Sequence, residues 1–307
     1  MIVMKQLAII IPAYKETFLR KALESIASQT CKDFTLYIGD DCSPYDLKSI
    51  VSDFTDKIDI VYKRFDTNLG GKDLVAQWER CVNLSKAEPY IWLFSDDDIM
   101  EPRCVEMFFK HLKVTNGAFD LYHFDVKVIN DNDKVTRIPQ PYPQNLDSYT
   151  YYKYKLRSKI ASRVVENIFS RKIYNSSGGF VNFDLAWGSD TATWVLFSND
   201  KGFCTIPNAY VLWRNGSENI TPNTSSKIVE RKERARVEFF KWSKDFFDLN
   251  GKNVLLINIR CFISRLTLNR NYISNDFCKQ IVKDFCKSQK CMYMYPFLYL
   301  IIKYRKV

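Results

Sequence analysis

The sequence predicts an α/β protein, a doubly wound and mostly parallel sheet followed by a C-terminal helical appendage. Three observations carry that expectation. Short apolar runs alternate with segments of helical apolar spacing through the first hundred residues. Each run ends in polar or acidic residues. After residue 227 the strand-like runs give way to long, basic, helical patterns.

The elements follow in order. Residues 7–11 form a continuous apolar run that ends at Pro12, as expected of a parallel strand covered on both faces. Leu19, Ala22, Leu23, Ile26 and Ala27 then recur at helical spacing. Residues 34–38 read as a second strand leading into Asp40 and Asp41, and 46–54 as a short helix. Residues 58–65 are a third strand, and 72–84 a helix with Leu74, Val75, Trp78, Cys81 and Val82 on one side. The run 89–94 is a fourth strand, delivering Ser95, Asp96, Asp97 and Asp98 to its end. Such βα repeats imply a right-handed parallel sheet whose ligands bind beyond the carboxyl ends of the strands. Residues 120–130 and 206–213 read as further strands. Residues 227–247 and 254–268 read as helices separated by a break at Gly251.

Composition excludes several classes. At 307 residues, with 46% hydrophobic and 15% aromatic residues, the chain can bury a large core and is not disordered. A net charge of +10 suits nucleic acid, an anionic membrane or phosphorylated substrates. Lys and Arg are dispersed until residue 227 and no zinc-finger, RNP-type or arginine-rich signature occurs, so no nucleic-acid partner is expected. Nine cysteines without paired spacing suggest reduced thiols in a cytoplasmic protein. The N-terminus is too short before the first strand to read as a signal peptide. The acceptor-type tripeptides at Asn215, Asn219 and Asn223 therefore read as a polar loop, and no window approaches a membrane-spanning length.

The acid block is the strongest chemical signal. Three adjacent carboxylates at a strand end repel one another unless a cation sits among them. A hard divalent ion, Mg²⁺ or Mn²⁺, binds through one or two carboxylates plus substrate phosphates. The bland alternative is a solvated turn before the helix opened by Pro102. Further polar clusters converge on the same rim: residues 12–16, 40–43 and 68–72. The last is no phosphate-cradling loop, because Gly71-Lys72 is followed by Asp73 and an earlier glycine is missing; no GxGxxG occurs either.

Taken in order, residues 9–16, 39–43, 68–70 and 93–102 resemble the nucleotide-sugar-binding half of the family 2 inverting glycosyltransferases of GT-A fold. The resemblance implies donor contacts from Pro12, Ala13, Tyr14, Glu16, Asp40, Asp41, Asn68, Gly70, Lys72 and Asp96, and metal ligation by Asp97 and Asp98. Many relatives carry an additional acid where Ser95 stands, so the division of metal and ribose contacts within the block stays open. The segment 187–194 resembles the family's acidic motif opening an acceptor-side helix. Asp190 is then the expected base, with Asp184 as fallback; an N-cap role is the competing reading of Asp190. Neither His111 nor His123 lies in such a motif, and both read as structural. Residues 213–221 resemble the loop that closes over the donor, where Arg214 is expected to clamp the diphosphate. The Gln-x-x-Arg-Trp pattern of processive enzymes is missing, which favours single transfers.

These matches imply a GT-A domain over residues 1–226, its nucleotide-sugar half at 1–102 and its acceptor-side half at 103–226, with a helical region at 227–307. The implied partners are a nucleotide-diphosphate sugar, with uridine as the expected base, and a saccharide or lipid-linked acceptor. The expected setting is cell-surface polysaccharide or glycan synthesis. A sugar-1-phosphate nucleotidyltransferase is the alternative enzyme, although its Gly-x-Gly-x-Arg turn is absent; a non-catalytic nucleotide-binding scaffold is the other. The apolar segment 292–302, followed by Lys303, Arg305 and Lys306, suits either a peripheral contact with the inner face of the membrane or docking onto the catalytic domain, with Pro296 expected to break a continuous helix there.

Overall fold

The computed structural model describes residues 5–216 and 224–304. Its centre is a mixed ten-stranded sheet. The strands are β1 (Leu7–Ala13), β2 (Phe34–Asp40), β3 (Ile60–Arg64), β4 (Tyr90–Leu93), β5 (Ile99–Met100), β6 (Leu121–Ile129), β7 (Val135–Arg137), β8 (Asn145–Leu146), β9 (Asn167–Ser170) and β10 (Phe203–Arg214). Their order is β3-β2-β1-β4-β9-β6-β10-β5, with β7 paired to β6 and β8 to β10. The first four pair in parallel, Leu7 to Ala13 of β1 standing opposite Phe34 to Asp40 of β2. β9 is antiparallel to both β4 and β6 and joins the two halves of the sheet.

β1 reads as unbroken apolar sequence because both of its faces are covered. Ala8 and Ile10 enter one apolar cluster, while Leu7, Ile9, Ile11 and Ala13 enter the other. Fully burying a Leu or Ile side chain contributes about 1.5–3 kcal/mol, so this strand alone anchors both layers. Helices α1 (Leu19–Ala27), α2 (Leu47–Ser52) and α4 (Cys104–Val114) cover the second face, and α3 (Leu74–Val82) packs on the first. Both α2 and α3 start one residue after an aspartate. The Asp46 and Asp73 side chains accept from Ser49 N and Ala76 N at 3.1 and 3.0 Å, so these residues cap the helices rather than lie within them.

β10 starts at Phe203, before the expected residue 206, and its register with β6 shifts between Ile206 and Tyr210. Pro207 lacks an N–H and Asn208 takes φ 62°, which together make a bulge rather than a strand end.

The remaining helices are α5 (Ser148–Leu156), α6 (Arg171–Ser176), α7 (Ser189–Phe197), α8 (Ser226–Leu249), α9 (Leu255–Leu268), α10 (Asn275–Ser288) and α11 (Tyr295–Tyr304). Val229, Phe240, Phe262, Phe285, Leu298 and Ile302 from α8–α11 share one apolar cluster with Ala8, Ile10 and Trp78. The C-terminal helices thus cover a face of the sheet. Pro296 does not break α11, contrary to the sequence expectation. It lies in the first turn, where its missing N–H has no helical partner to lose. Leu298 and Ile302 are buried, whereas Tyr293, Phe297, Leu300 and Tyr304 are exposed. No helix among the described residues is long and apolar enough to cross a membrane, and the nine cysteines are all free thiols.

Candidate active site

A single cavity of about 1440 Å³ opens where β1, β2 and β4 end, and runs under α7 towards α8 and α9. It lies beside the β1–β4 pair, where connections run in opposite directions, as expected of a doubly wound sheet. Pro12, Tyr14, Lys15, Asp41, Asn68, Gly70, Asp96, Asp97, Asp98 and Asp190 all line it, so the separate clusters of the sequence meet in one place.

The rim is built mainly from backbone donors aimed at buried carboxylates. Tyr14 N and Lys15 N donate to Asp96 Oδ2 at 2.9 and 2.8 Å, fastening the turn after β1 to the end of β4. Leu69 N and Gly70 N donate to the two carboxylate oxygens of Asp41 at 2.7 and 2.8 Å. A Cβ on Gly70 would stand 2.7 Å from Asp41 Oδ2, so a larger residue there would have to displace the carboxylate that holds the turn. Arg80 on α3 also pairs with Asp41. Asn68 Oδ1 accepts from Gly71 N at 2.8 Å and holds the same turn.

Strand alternation separates neighbours in these motifs. Ala13 and Asp40 are opposed in the β1–β2 register and point inward. Asp40 is fully buried, accepting from Ser43 N at 2.8 Å and Arg64 Nη1 at 2.8 Å, and from the Tyr62 hydroxyl. Neither Ala13 nor Asp40 lines the cavity; they support Tyr14 and Asp41, which do. Glu16 is exposed and off the cavity, its carbonyl accepting from Leu19 N at 3.2 Å. Lys72 lines a separate depression of about 280 Å³ with Asp184 and Glu238. Direct donor contact from Ala13, Glu16, Asp40 and Lys72 therefore has no support in this geometry.

All three acids of the block are buried. Burial, and then the Asp97 charge, push Asp96 up to about 6 and hold Asp98 well above the usual carboxylate range. Lys15 Nζ reaches Asp97 Oδ2 at 2.6 Å and supplies a partial countercharge from within the chain. Asp98 Oδ1 accepts from Arg214 N at 2.6 Å. The Ser95 hydroxyl donates to Asp97 Oδ1, and all three acids line the cavity. No group of three or more His, Cys, Asp or Glu side chains forms a metal cage among the described residues. A Mg²⁺-like ion that takes one or two carboxylates and completes its shell with phosphates and water needs none, so the donor set fits.

Arg214 is placed differently from the sequence expectation. Its side chain is fully buried behind the block, Nε donating to Asp97 O at 2.8 Å and Nη1 to Asn130 O at 2.7 Å. Nη2 pairs with Asp133 at 2.7 Å, and the guanidinium lies 3.9 Å from the Phe18 ring centroid. It does not line the cavity, so in this conformation it braces the acid block instead of clamping a diphosphate. Residues 217–221 of the expected closing loop lie outside the described residues.

Asp190 sits in the first turn of α7. The cap position belongs to Gly188, whose φ of 96° is reserved for glycine. The capping alternative for Asp190 is thereby replaced, and its carboxylate faces the cavity, with Thr191 Oγ1 3.3 Å away. The fallback, Asp184, is held by Arg231 through bonds of 2.8 and 2.6 Å and faces the smaller depression. His123 is buried, stacked on Tyr142 with centroids 3.7 Å apart, and His111 Nδ1 lies 3.0 Å from Met107 O. Neither histidine lines the cavity. Sequence reading passed over Arg80, Lys155 and Arg163, which support or line the site but belong to no local motif.

Known proteins share the family and the fold of this chain. Residues 8–177 match the family described as glycosyl transferase family 2. An uncharacterized glycosyltransferase of Methanocaldococcus jannaschii is 30% identical over 129 residues, covering 41% of this chain and 42% of that protein, so the match spans less than half of the relative. The S. aureus TarS 1–349 structure in complex with UDP-GlcNAc superimposes with a TM-score of 0.61 at 15% identity, covering 98% of this chain and 93% of that one. The structure of GalNAc-T7 with UDP, GalNAc and Mn²⁺ gives a TM-score of 0.58 at 12% identity, covering 95% and 56%. The four rim motifs, the acid block among them, and the family match over more than half of the sequence lead to one conclusion: the chain belongs to glycosyl transferase family 2 and is a glycosyltransferase of GT-A fold.

Proposed function

We propose that this glycosyltransferase moves a sugar from a nucleotide-diphosphate donor, a UDP-sugar, to a hydroxyl of a saccharide or lipid-linked saccharide, with inversion and with Mn²⁺ or Mg²⁺ on the donor phosphates. The observation that carries the reading is one cavity lined both by the acid block and by Asp190. UDP-GlcNAc in the TarS complex and UDP with Mn²⁺ in the GalNAc-T7 complex support the choice of donor and metal.

In this reading Asp97 and Asp98 hold the metal, with Asp96 and Asp41 ordering the turns that meet the nucleoside. A bound metal neutralises charge developing on the diphosphate. The acceptor oxygen forms its bond to the anomeric carbon as the bond from that carbon to the diphosphate oxygen breaks, and the acceptor proton passes to Asp190. A single displacement of this kind inverts the centre. Residues 1–226 are taken as the catalytic unit and 227–307 as a helical region. The exposed Phe297, Leu300 and Tyr304 of α11 beside Lys303 suit a peripheral contact with the inner face of a membrane, in a cytoplasmic enzyme of cell-surface glycan synthesis.

Incubation with a panel of UDP-sugars and Mn²⁺, followed by NMR of the product anomer, tests the reaction. Inverted product that disappears with EDTA is expected. Retained configuration, or full turnover in EDTA, overturns the mechanism.

A further inference from the structure

The cavity is electrically divided. Asp41, Asp96, Asp97 and Asp98 occupy the strand ends, while Lys155, Lys159, Arg163, Arg236 and Arg265 line the part built by α5, the segment after it, α8 and α9. Among the described acids lining the cavity, Asp190 is the one coupled to this basic wall, its charge being the main influence that favours the protonated Lys155.

The cations of the wall have few acceptors between them. Lys155 Nζ and Arg163 Nη1 donate to the same oxygen, Ser162 O, at 3.0 and 2.9 Å, so two positive charges share one neutral acceptor. Arg163 Nε is buried without a hydrogen-bond partner among the described residues, and its guanidinium lies 4.1 Å from the Trp213 ring centroid. Arg265 Nη2 stands 3.4 Å from Ser158 Oγ on the same wall. Arg236 is paired with Glu233, but Lys155, Lys159, Arg163 and Arg265 have no ion-pair partner among the described residues. Burial lowers the Lys155 pKa, with Arg163 and Arg265 adding to that effect. Asp190 and the buried Glu166 favour the charged Lys155, and Glu233 pairs with Arg236, yet five cations line this part of the cleft; an excess of cations raises the local concentration of anions, and arginine forks suit the oxygens of phosphate and carboxylate.

We propose that this wall recognises an anionic group, a phosphate or a carboxylate, carried by the acceptor saccharide beside the hydroxyl presented to Asp190. The inference rests on the donor and acceptor ends assigned under the proposed function. It adds that the acceptor is a charged glycan, selected by Lys155, Lys159, Arg163 and Arg265.

Calorimetry on the full chain with saturating UDP and Mn²⁺ tests it, because the donor diphosphate site is then filled. The probes are glucose 6-phosphate, methyl glucuronide and the neutral methyl glucoside. At least one anionic probe is expected to bind tenfold or more tightly than the glucoside, and which one does so distinguishes phosphate from carboxylate. In the double variant Lys159→Gln/Arg265→Gln, at two exposed positions, that preference is expected to disappear while UDP affinity holds. Lys155→Gln, checked for fold by circular dichroism, should repeat the loss. No preference among the probes, including no binding of any, overturns the proposal. So does a preference that survives in the double variant, or an equal loss of UDP affinity, which assigns the cations to the donor. If the wild type does not bind UDP, the donor reading fails, and the anion preference is then read without UDP.

Discussion

Replacing Arg214 separates two roles that the same residue can play next to an acid block. Arg214→Met keeps most of the length and apolar contact of the side chain and removes the guanidinium. Three sets of interactions go with it. The carbonyls of Asp97 and Asn130 lose charged donors at 2.8 and 2.7 Å, and hydrogen bonds to charged groups contribute about 1.5–3 kcal/mol each. The pair with Asp133 counts for less, because that acid is 35% exposed and a solvated pair contributes at most about 1 kcal/mol. The contact with the Phe18 ring adds about 0.5–2 kcal/mol. Water entering the vacated space recovers part of this, so a net loss of about 3–5 kcal/mol is expected, the range for breaking a buried charged network. Against a total stability of about 5–15 kcal/mol, that is a large fraction.

Urea denaturation followed by tryptophan fluorescence measures the loss as a lower midpoint at unchanged slope. Below the transition, UDP affinity at saturating Mn²⁺ is expected to fall only modestly, since Arg214 N still donates to Asp98. The reasoning is refuted if Arg214→Met unfolds at the wild-type urea concentration but binds UDP tenfold or more weakly. That result restores Arg214 as a diphosphate clamp.

Four further outcomes are expected. Asp97→Ala should abolish Mn²⁺-dependent UDP binding in calorimetry with an unchanged circular dichroism spectrum, and unaltered binding removes Asp97 from the metal site. Asp190→Asn should lower transfer by roughly 10² or more with donor affinity retained, because it removes proton acceptance and keeps size; wild-type turnover in the variant assigns the base elsewhere. Burial, and then the Asp97 charge, raise Asp96 from the ordinary 3.8 to about 6, so the folded state holds the extra proton between those values. In EDTA, the melting temperature of the wild type relative to Asp96→Asn should therefore fall as pH rises from 4 to 6 and level off above, and a rise over that window contradicts the assignment. Phe297→Ser/Leu300→Ser changes exposed positions of α11 and spares the buried Leu298 and Ile302; it should abolish co-sedimentation with anionic vesicles at unchanged stability, and wild-type sedimentation rules out α11 as the contact.

The donor rim was legible in the sequence because its signals are local. A run such as residues 89–94 announces a buried strand, and the acids after it must emerge at the strand end. What motif reading misjudged was orientation. Within the pairs Ala13–Tyr14 and Asp40–Asp41, the first member faces the interior and the second the cavity, a distinction set by a strand period of two residues. A motif marks both members alike. Pro296 shows the same limit on a helix, since proline is disruptive or harmless according to its distance from the N-terminus.

Contacts between distant segments were illegible for another reason. Arg214 is buried because its partners Asp97 and Asn130, 117 and 84 positions earlier, converge on it. Lys155 reads on α5 as one more solvated lysine, and only the packing of α7 and α9 against that helix turns it inward towards Arg163, Asp190 and Arg265. The donor end thus uses short segments that any sequence register reveals, whereas the acceptor end is assembled from single side chains on separate helices. A chain can vary such side chains one at a time without disturbing the sheet that carries the donor. On the proposed function, the basic wall rather than the acid block is where acceptor choice is to be sought.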